Sequence, residues 1–250
     1  MNLASIPIAV QLWSVRDDVA KDPAAAFSAI AEMGYDGVET AGIVGTPREM
    51  AAALAAAGLR VEGAHAGVEA FLPDAIDKTV EDYAELGCRR FVVPWIGGKW
   101  TETPDAWKRF YAVMNLAAEK LAAQGIELGY HNHAFEFQYQ NGMVPAVEMP
   151  RFFTSQVKFQ YDMGWTYFAG ADGLSLLREQ AGRVNSIHVK PWKKGDEAPF
   201  VGEDDVPWKD VCAAAVSSGA DWFVIEHESY ADTPMACIRR DVANLRKLLA

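Results

Sequence analysis

Residues 122–133 read AAQGIELGYHNH, which is a small-residue stretch, a glycine and a short apolar run. The pattern recurs as AEMGYDGVET (31–40), AAAGLRVEGAH (55–65), AELGCRRFVVPW (84–95), EQAGRVNSIHVK (179–190) and VSSGADWFVIEHE (216–228). The glycine stands where the end of a helix favours a residue with positive φ. The run after the glycine is typical of a buried strand. Each copy therefore predicts the end of a helix and the strand that follows it.

Two apolar runs without this glycine, IPIAVQLW and VKFQYDM, complete the set of predicted strands. The eight predicted strands span residues 6–13, 36–41, 60–65, 90–96, 126–133, 157–163, 184–190 and 222–228. Helical stretches lie between them. One begins with a capping box in which Thr46 is the N-cap and Glu49 the third helical residue, with Pro47 at the first helical position, and another begins in the same way with Thr103 and Pro104.

This alternation of strands and helices predicts a parallel sheet with helices outside it. Eight such units in 250 residues match a (β/α)8 barrel, so we expect an α/β fold with a single TIM-barrel domain over residues 1–250. A doubly wound open sheet is the alternative. It is disfavoured because no GxGxxG motif follows the first strand.

The composition excludes several classes of protein. The chain has 23 Lys and Arg residues against 34 Asp and Glu residues, and its net charge of −11 disfavours nucleic acid and anionic membranes as partners. No apolar run approaches the roughly 18 residues that span a bilayer, and no basic leader precedes the first apolar stretch. The three cysteines, Cys88, Cys212 and Cys237, indicate buried thiols in a reducing compartment. We therefore expect a soluble cytoplasmic protein.

Polar side chains collect at the ends of the predicted strands. All five histidines lie there, and they are His65, His131, His133, His188 and His227. Four acidic residues join them: Glu39, Asp162, Glu226 and Glu228. Strand ends of a parallel barrel converge on one face, where barrel enzymes hold their active sites. The long connections 134–156 and 191–206 leave the same face and are predicted to cover a substrate.

Three of these residues predict a metal site. Singly, Asp162 could cap a helix, His188 could be a hydrogen-bonded core histidine, and Glu226 would need a positive partner. On three consecutive strands of one barrel they favour a divalent cation. Carboxylates with imidazole and no thiolate suit Mn²⁺, Mg²⁺, Co²⁺ or Zn²⁺, and Mn²⁺ is preferred here. Such an ion polarises a carbonyl or hydroxyl while a nearby base removes a proton from the adjacent carbon.

Seven motifs in the same order carry a family resemblance: QLWSVRD, GYDGVET, YHNHAFEF, YDMGW, IHVK, VGEDDVPW and IEHE. With them the chain resembles the sugar phosphate isomerase/epimerase group of the xylose isomerase-like TIM barrels. The resemblance implies a divalent cation held by Glu, Asp, His and Glu, with the two Glu residues as acid and base. Asp162, His188 and Glu226 match the last three of these ligands.

The first ligand of that set differs. His131 stands where the family usually has Glu, and Glu136 is an alternative source of the missing carboxylate. The YHNH sequence resembles the variants found in inosose dehydratases and 3-keto-glycoside-processing enzymes. The resemblance thus implies that His131 or His133 acts as a base beside a keto group, which would lead to elimination.

Other candidate residues have weaker support. Lys190 would share the face of His188 and could steady an oxyanion, or pair with an acidic neighbour. The candidate substrate-binding residues are Glu39, His65, Trp13, Trp95 and Trp192. A salt bridge for Glu39, a structural role for His65 and rim packing for the tryptophans are the alternatives. We expect His227 to point away from the site.

The leading prediction is a metal-dependent isomerase or epimerase that acts on a sugar, a keto-sugar or an inositol derivative. A dehydratase or lyase on the same scaffold is the alternative, because both reactions begin with the same proton abstraction. An endonuclease IV-like DNA repair enzyme and a non-catalytic sugar-binding barrel are remoter alternatives. Five acidic residues in 191–206 favour an unphosphorylated substrate, and the resemblance implies a homo-oligomer.

Overall fold

The computed structural model describes residues 2–250 and places a strand at each of the eight predicted positions. The strands are β1 (Ile8–Gln11), β2 (Gly37–Thr40), β3 (Arg60–His65), β4 (Arg90–Val93), β5 (Glu127–His131), β6 (Val157–Asp162), β7 (Val184–Val189) and β8 (Trp222–Ile225). Each strand pairs in parallel with the next, and β8 pairs with β1 through Ala9 and Val224. The barrel is therefore closed, which confirms the (β/α)8 prediction.

The helices surround the barrel. They are α1 (Arg16–Lys21), α2 (Pro23–Glu32), α3 (Pro47–Ala57), α4 (Ile76–Ala84), α5 (Pro104–Ala122), α6 (Pro145–Phe152), α7 (Met163–Phe168), α8 (Gly173–Glu179), α9 (Trp208–Ser217) and α10 (Pro234–Leu249). Within residues 2–250, none combines the length and the apolar character needed to cross a membrane.

Local sequence signals explain where these helices begin and end. The backbone N–H of Glu49 donates to Thr46 Oγ1 over 3.2 Å, and Glu49 Oε2 accepts from the Thr46 N–H over 2.9 Å. The predicted capping box of α3 is thereby confirmed. The same helix ends at Gly58, whose φ of 73° is the left-handed conformation that the glycine pattern predicts.

The structure corrects the sequence-based prediction in two respects, the strand lengths and the connection after β5. Most strands are shorter than predicted; β8 ends at Ile225 instead of residue 228, and β5 ends at His131 instead of residue 133. The connection 134–156 was predicted as a loop, but α6 occupies part of it. Pro145 begins α6 and Pro150 lies within it, and two prolines in eight residues obscured the helical pattern.

Apolar side chains fill the layer between sheet and helices, with Phe27, Trp107 and Phe110 among the largest that are fully buried. The three cysteines are free and buried, as predicted. The inside of the barrel is more polar. At the amino ends of the strands, Arg90 forms ion pairs with Glu62, Glu127 and Asp221. This cluster closes the barrel at the end opposite the strand-end histidines.

Candidate metal centre and active site

Four side chains from consecutive strands meet at the carboxyl end of the barrel. His131 and Asp162 end β5 and β6, His188 lies near the end of β7, and Glu226 follows β8 directly. Each offers one donor atom, and these atoms all lie within 4.8 Å of one another. All four residues are buried. We call them the metal cluster.

Strand register produces this convergence. Asp162 on β6 is the register partner of His188 on β7, so the two side chains stand side by side. Successive side chains of a strand point to opposite faces. Gln160 and Ser186, two residues earlier on these strands, therefore also point into the barrel, and their side chains are hydrogen-bonded at 2.9 Å. The inner face of the barrel thus carries a polar layer beneath the metal cluster.

The distances within the metal cluster suit a divalent cation. Asp162 Oδ2 lies 3.9 Å from both His131 Nε2 and His188 Nδ1, and His188 Nδ1 lies 3.3 Å from Glu226 Oε2. An ion with ligand distances of about 2.1 Å holds neighbouring donor atoms roughly 3.0 to 3.4 Å apart. Small side-chain movements would bring the four atoms to that separation.

The hydrogen bonding of Asp162 also fits a cation. Its Oδ1 accepts the backbone N–H of Trp165 over 2.7 Å, which caps α7. Its Oδ2 is buried and has no hydrogen-bond partner among residues 2–250. Leaving a buried carboxylate oxygen without a partner costs free energy. A cation held with the two imidazoles and Glu226 would satisfy that oxygen, and the two nitrogen and two oxygen donors suit Mn²⁺, Co²⁺ or Zn²⁺.

A second layer of side chains orients the two imidazoles. A carboxylate only accepts hydrogen bonds, so His188 Nε2 donates to Glu39 Oε2 over 2.7 Å and leaves Nδ1 free for the metal cluster. Gln160 Oε1 lies 3.3 Å from His131 Nδ1, while Gln160 Nε2 donates to Glu39 Oε1 over 2.6 Å. Outer partners of this kind set the tautomer and ring angle of metal-binding histidines.

Glu39 belongs to this second layer and does not face the substrate cavity as the sequence predicted. The residue is fully buried, and both of its oxygens accept hydrogen bonds from protein groups, among them Gln11 Nε2 over 2.7 Å. Its contacts include His65 Nε2 at 3.0 Å. The structure thus places Glu39 beneath the histidines, in the salt-bridge position that the sequence left as its alternative.

Sequence reasoning missed Gln160 and Gln11. Both are fully buried polar residues inside the barrel. The available signal was the spacing: Gln160 lies two residues before Asp162, so a strand places both on the same face.

Glu136 does not join the metal cluster. Its Oε1 accepts a hydrogen bond from the Tyr130 hydroxyl over 2.6 Å, and its Oε2 accepts the backbone N–H of His133 over 2.8 Å. Burial raises the pKa of this carboxyl to about 7, partly opposed by the Tyr130 hydrogen bond. Glu136 therefore organises the turn after β5, and His131 occupies the fourth donor position.

Lys190 stands beside Glu226. Its Nζ lies 3.3 Å from Glu226 Oε2, and it also pairs with Glu228. Burial would raise the pKa of Glu226, but the charges of Lys190 and His188 outweigh it and hold that pKa well below its usual range. Burial likewise would lower the pKa of Lys190, and the surrounding carboxylates raise it instead.

The remaining pKa shifts reflect the packing of several ionisable groups in one buried place. Burial raises the pKa of Asp162 to about 7, although Lys190 opposes the shift. Burial lowers the pKa of His133 to about 4 and that of His131 well below its usual value. For His188, burial is outweighed by Glu39 and Glu226, and its pKa rises to about 10. A cation would favour the deprotonated forms of the carboxyl and the imidazoles that bind it.

A cavity of about 530 Å³ opens above the metal cluster, and we call it the inner cavity. Its wall consists of Trp13, Ala41, His65, Pro94, Trp95, His131, His133, Glu226 and Glu228. Trp13 and Trp95 are 47% and 59% exposed, so their rings offer apolar faces to a ligand. Of the candidate substrate-binding residues, His65, Trp13 and Trp95 line this cavity, whereas Trp192 lines a neighbouring one.

His227 lies apart from the metal cluster. Its Nδ1 is 2.6 Å from Asp241 Oδ2 on α10, and its backbone N–H donates to Ser14 Oγ over 2.9 Å. These bonds tie the segment after β8 to its surroundings.

Residues 27–248 match the family model described as the xylose isomerase-like TIM barrel. The chain belongs to this family. The resemblance carried by the seven motifs is thereby confirmed. No curated protein matches the chain in sequence.

Solved structures with this xylose isomerase-like fold include three that align over nearly the whole chain. A sugar phosphate isomerase/epimerase from Parabacteroides distasonis aligns with a TM-score of 0.86 at 20% identity, over 96% of this chain and 93% of that one. An AP endonuclease, family 2, from Brucella melitensis gives 0.73 at 17%, over 93% and 96%. A 3-keto-D-glucoside 4-epimerase from E. coli gives 0.71 at 18%, over 97% and 100%. At identities this low, the similarity shows a shared fold alone.

Proposed function

We propose that this xylose isomerase-like barrel is a divalent-metal-dependent sugar isomerase or epimerase that moves a proton at a carbon next to a carbonyl or hydroxyl group. The observation that carries the proposal is the metal cluster, whose donor atoms lie within 4.8 Å of one another at the floor of the inner cavity. A divalent cation, with Mn²⁺ preferred over Mg²⁺, Co²⁺ and Zn²⁺, would polarise the sugar oxygen there.

The side chains around the cation would have different roles in the reaction. His131 Nδ1 contacts Gln160 Oε1, and its Nε2 points toward Asp162 within the metal cluster, which favours a ligand role over a base role. Glu226 lines the inner cavity, and Lys190 beside it stabilises the carboxylate form that accepts a proton. His133 lines the same cavity and supplies a second acid–base group.

The inner cavity supports a small sugar, keto-sugar or inositol derivative as the substrate. Its volume of about 530 Å³ lies in the range of small-molecule sites. The exposed faces of Trp13 and Trp95 can pack against the C–H groups of a sugar ring, and His65 can hydrogen-bond a hydroxyl. The net charge of −11 disfavours a DNA substrate of the kind that an endonuclease needs.

Elimination is a second candidate reaction on the same scaffold. His131 stands where a second acid–base Glu would be expected, so Glu226 is the one Glu residue of the metal cluster. A single Glu suits elimination, which begins with one proton abstraction, as well as it suits epimerisation. Lys190 pairs with both Glu226 and Glu228, and its ammonium group would stabilise the negative charge of a departing oxygen. Isomerisation and elimination share the first proton abstraction, so only the products distinguish them.

A deuterium wash-in experiment tests the proposal. The protein is incubated in D₂O with Mn²⁺ and with 2-ketohexoses, 3-keto-glucosides and inososes in turn. We expect deuterium at a carbon beside the carbonyl of at least one compound, and loss of this exchange after EDTA treatment. Exchange with return of a stereoisomer indicates epimerisation, and an enone product indicates elimination. Absence of exchange from every compound would contradict the proposed function.

A further inference from the structure

A second cavity of about 700 Å³ adjoins the inner cavity. It lies between α7, the connection that follows β7 and the segment that follows β8. Its lining includes Trp165, Phe168, Trp192, Lys193, Asp196 and Glu228. We call it the outer cavity; of its lining residues, the reaction proposed above uses only Lys190 and Glu228.

The two cavities meet at Glu228, which lines both. Glu228 pairs with Lys190, and Lys190 in turn contacts Glu226 of the metal cluster. The outer cavity therefore begins one side chain away from the groups assigned to proton transfer. A ligand seated above the metal cluster and long enough to pass the Lys190–Glu228 pair would enter the outer cavity.

Apolar ring faces form one side of the outer cavity. Phe168 is 58% exposed although it is a large apolar side chain, and its ring lies 5.5 Å from that of Trp165. Lys190 Nζ lies 5.2 Å from the centre of the Trp165 ring, which holds the indole in place. Gly164 permits this packing, because a Cβ there would lie 2.5 Å from the Lys190 carbonyl oxygen.

The part of the outer cavity wall that contains Trp192 is held in place by hydrogen bonds. Asp204 Oδ2 accepts hydrogen bonds from the backbone N–H of Trp192 and from Trp208 Nε1, over 3.2 and 2.9 Å. The backbone N–H of Asp205 donates to the Trp192 carbonyl oxygen over 2.9 Å. Trp192 is thus fixed at both of its backbone polar groups. A wall positioned in advance lowers the entropy cost of binding.

The charges around the outer cavity balance. Three lysines, Lys190, Lys193 and Lys194, face three carboxylates, Asp196, Glu197 and Glu228. A phosphate group would require an excess of positive charge. Aromatic faces combined with balanced charged donors and acceptors suit an uncharged ring that bears many hydroxyl groups.

We infer that the outer cavity binds an uncharged sugar ring joined to the sugar that reacts at the metal cluster, so that the substrate is a glycoside built from two sugar rings. This inference rests on the proposed function, which places the reacting ring in the inner cavity. It assigns to Phe168, Trp165 and Trp192 the role of recognising the second ring.

Binding measurements with one-ring and two-ring probes test the inference. Dissociation constants are measured by calorimetry with Mn²⁺ present for methyl α- and β-D-glucopyranoside, maltose, cellobiose and glucose 1-phosphate. We expect at least one disaccharide to bind about ten-fold or more tightly than its matched methyl glycoside. Phe168→Ala and Trp192→Ala should each lower this ratio several-fold. Phe152→Ala is the matched control, because Phe152 is 51% exposed, stacks on Tyr111 and lies outside both cavities.

Several results would overturn the inference: equal affinity for one and two rings, a ratio that Phe168→Ala and Trp192→Ala leave unchanged, tighter binding of glucose 1-phosphate than of any disaccharide, or no binding of any probe. The deuterium experiment separates this failure from failure of the proposed function. If deuterium exchanges into a single-ring keto-sugar but a second ring does not tighten binding, only the inference of a two-ring substrate is contradicted. Absence of exchange contradicts the proposed function itself.

Discussion

Glu226→Gln lowers the rate of deuterium exchange by about 10³-fold or more while the protein stays folded. The amide keeps the shape of the side chain but removes its negative charge. That charge serves two purposes, because Glu226 belongs to the metal cluster and its carboxylate faces the inner cavity. The amide is a poorer donor to a cation and does not accept the substrate proton.

Glu228→Gln is the control for this prediction. Glu228 also lines the inner cavity and also pairs with Lys190, but it lies outside the metal cluster. We expect its substitution to lower exchange by less than about 30-fold, an effect typical of a group that only assists binding. Circular dichroism and thermal unfolding report whether both variants are folded. A folded Glu226→Gln protein that keeps more than a tenth of the exchange rate would rule out the proton-transfer role.

Arg90→Met destabilises the protein by about 3 to 5 kcal/mol. Arg90 lies at the amino end of the barrel, where its guanidinium pairs with Glu62, Glu127 and Asp221. The Glu62 side chain is fully buried, and burial raises the pKa of Glu62 to about 7 even though Arg90 opposes the shift. Methionine fills part of the space but leaves that carboxyl without a cation. Removal of one partner from a buried ion pair costs far more than the pair contributes.

Urea unfolding measures this loss of free energy. Arg151→Met is the matched control, because Arg151 is exposed and pairs with Glu148 on the surface of α6. We expect that variant to change stability by less than about 1 kcal/mol. The double substitution of Glu62→Gln with Arg90→Met should recover part of the loss, since the buried charge is then absent. A loss below about 1 kcal/mol for Arg90→Met would show that the cluster does not stabilise the barrel.

Much of the fold could be predicted because its signals are local. A helix that ends in glycine and is followed by an apolar run is set by backbone conformation and burial, and both are visible in a short window of sequence. The helix α6 was missed for a local reason as well, since Pro145 and Pro150 interrupt its pattern.

The metal cluster was partly predictable because a parallel barrel brings its strand ends together. Asp162, His188 and Glu226 needed only the correct strands to be placed near one another. The choice between His131 and Glu136 could not be made from spacing. It depends on the turn after β5, where the Tyr130 hydroxyl and the His133 N–H capture the Glu136 carboxylate.

How deep a side chain lies inside the barrel was harder to predict from the sequence. Glu39 is followed by Thr40 at the end of β2, and the sequence predicted a residue that faces the substrate. The structure buries it below His65 and His188. Glu39 lies within β2 and not beyond its end, so its side chain belongs to the layer beneath the cavity.

Titration of the metal-free protein with Mn²⁺, followed by calorimetry and by the electron paramagnetic resonance of the free ion, tests the metal cluster most directly. We predict one tightly bound ion per chain, and at least about 100-fold weaker binding after Asp162→Asn. Asp172→Asn makes the same chemical change at the exposed start of α8 and should leave Mn²⁺ binding unchanged. A protein that binds no Mn²⁺, or that binds it equally well after Asp162→Asn, would contradict the assignment of His131, Asp162, His188 and Glu226 as a metal site.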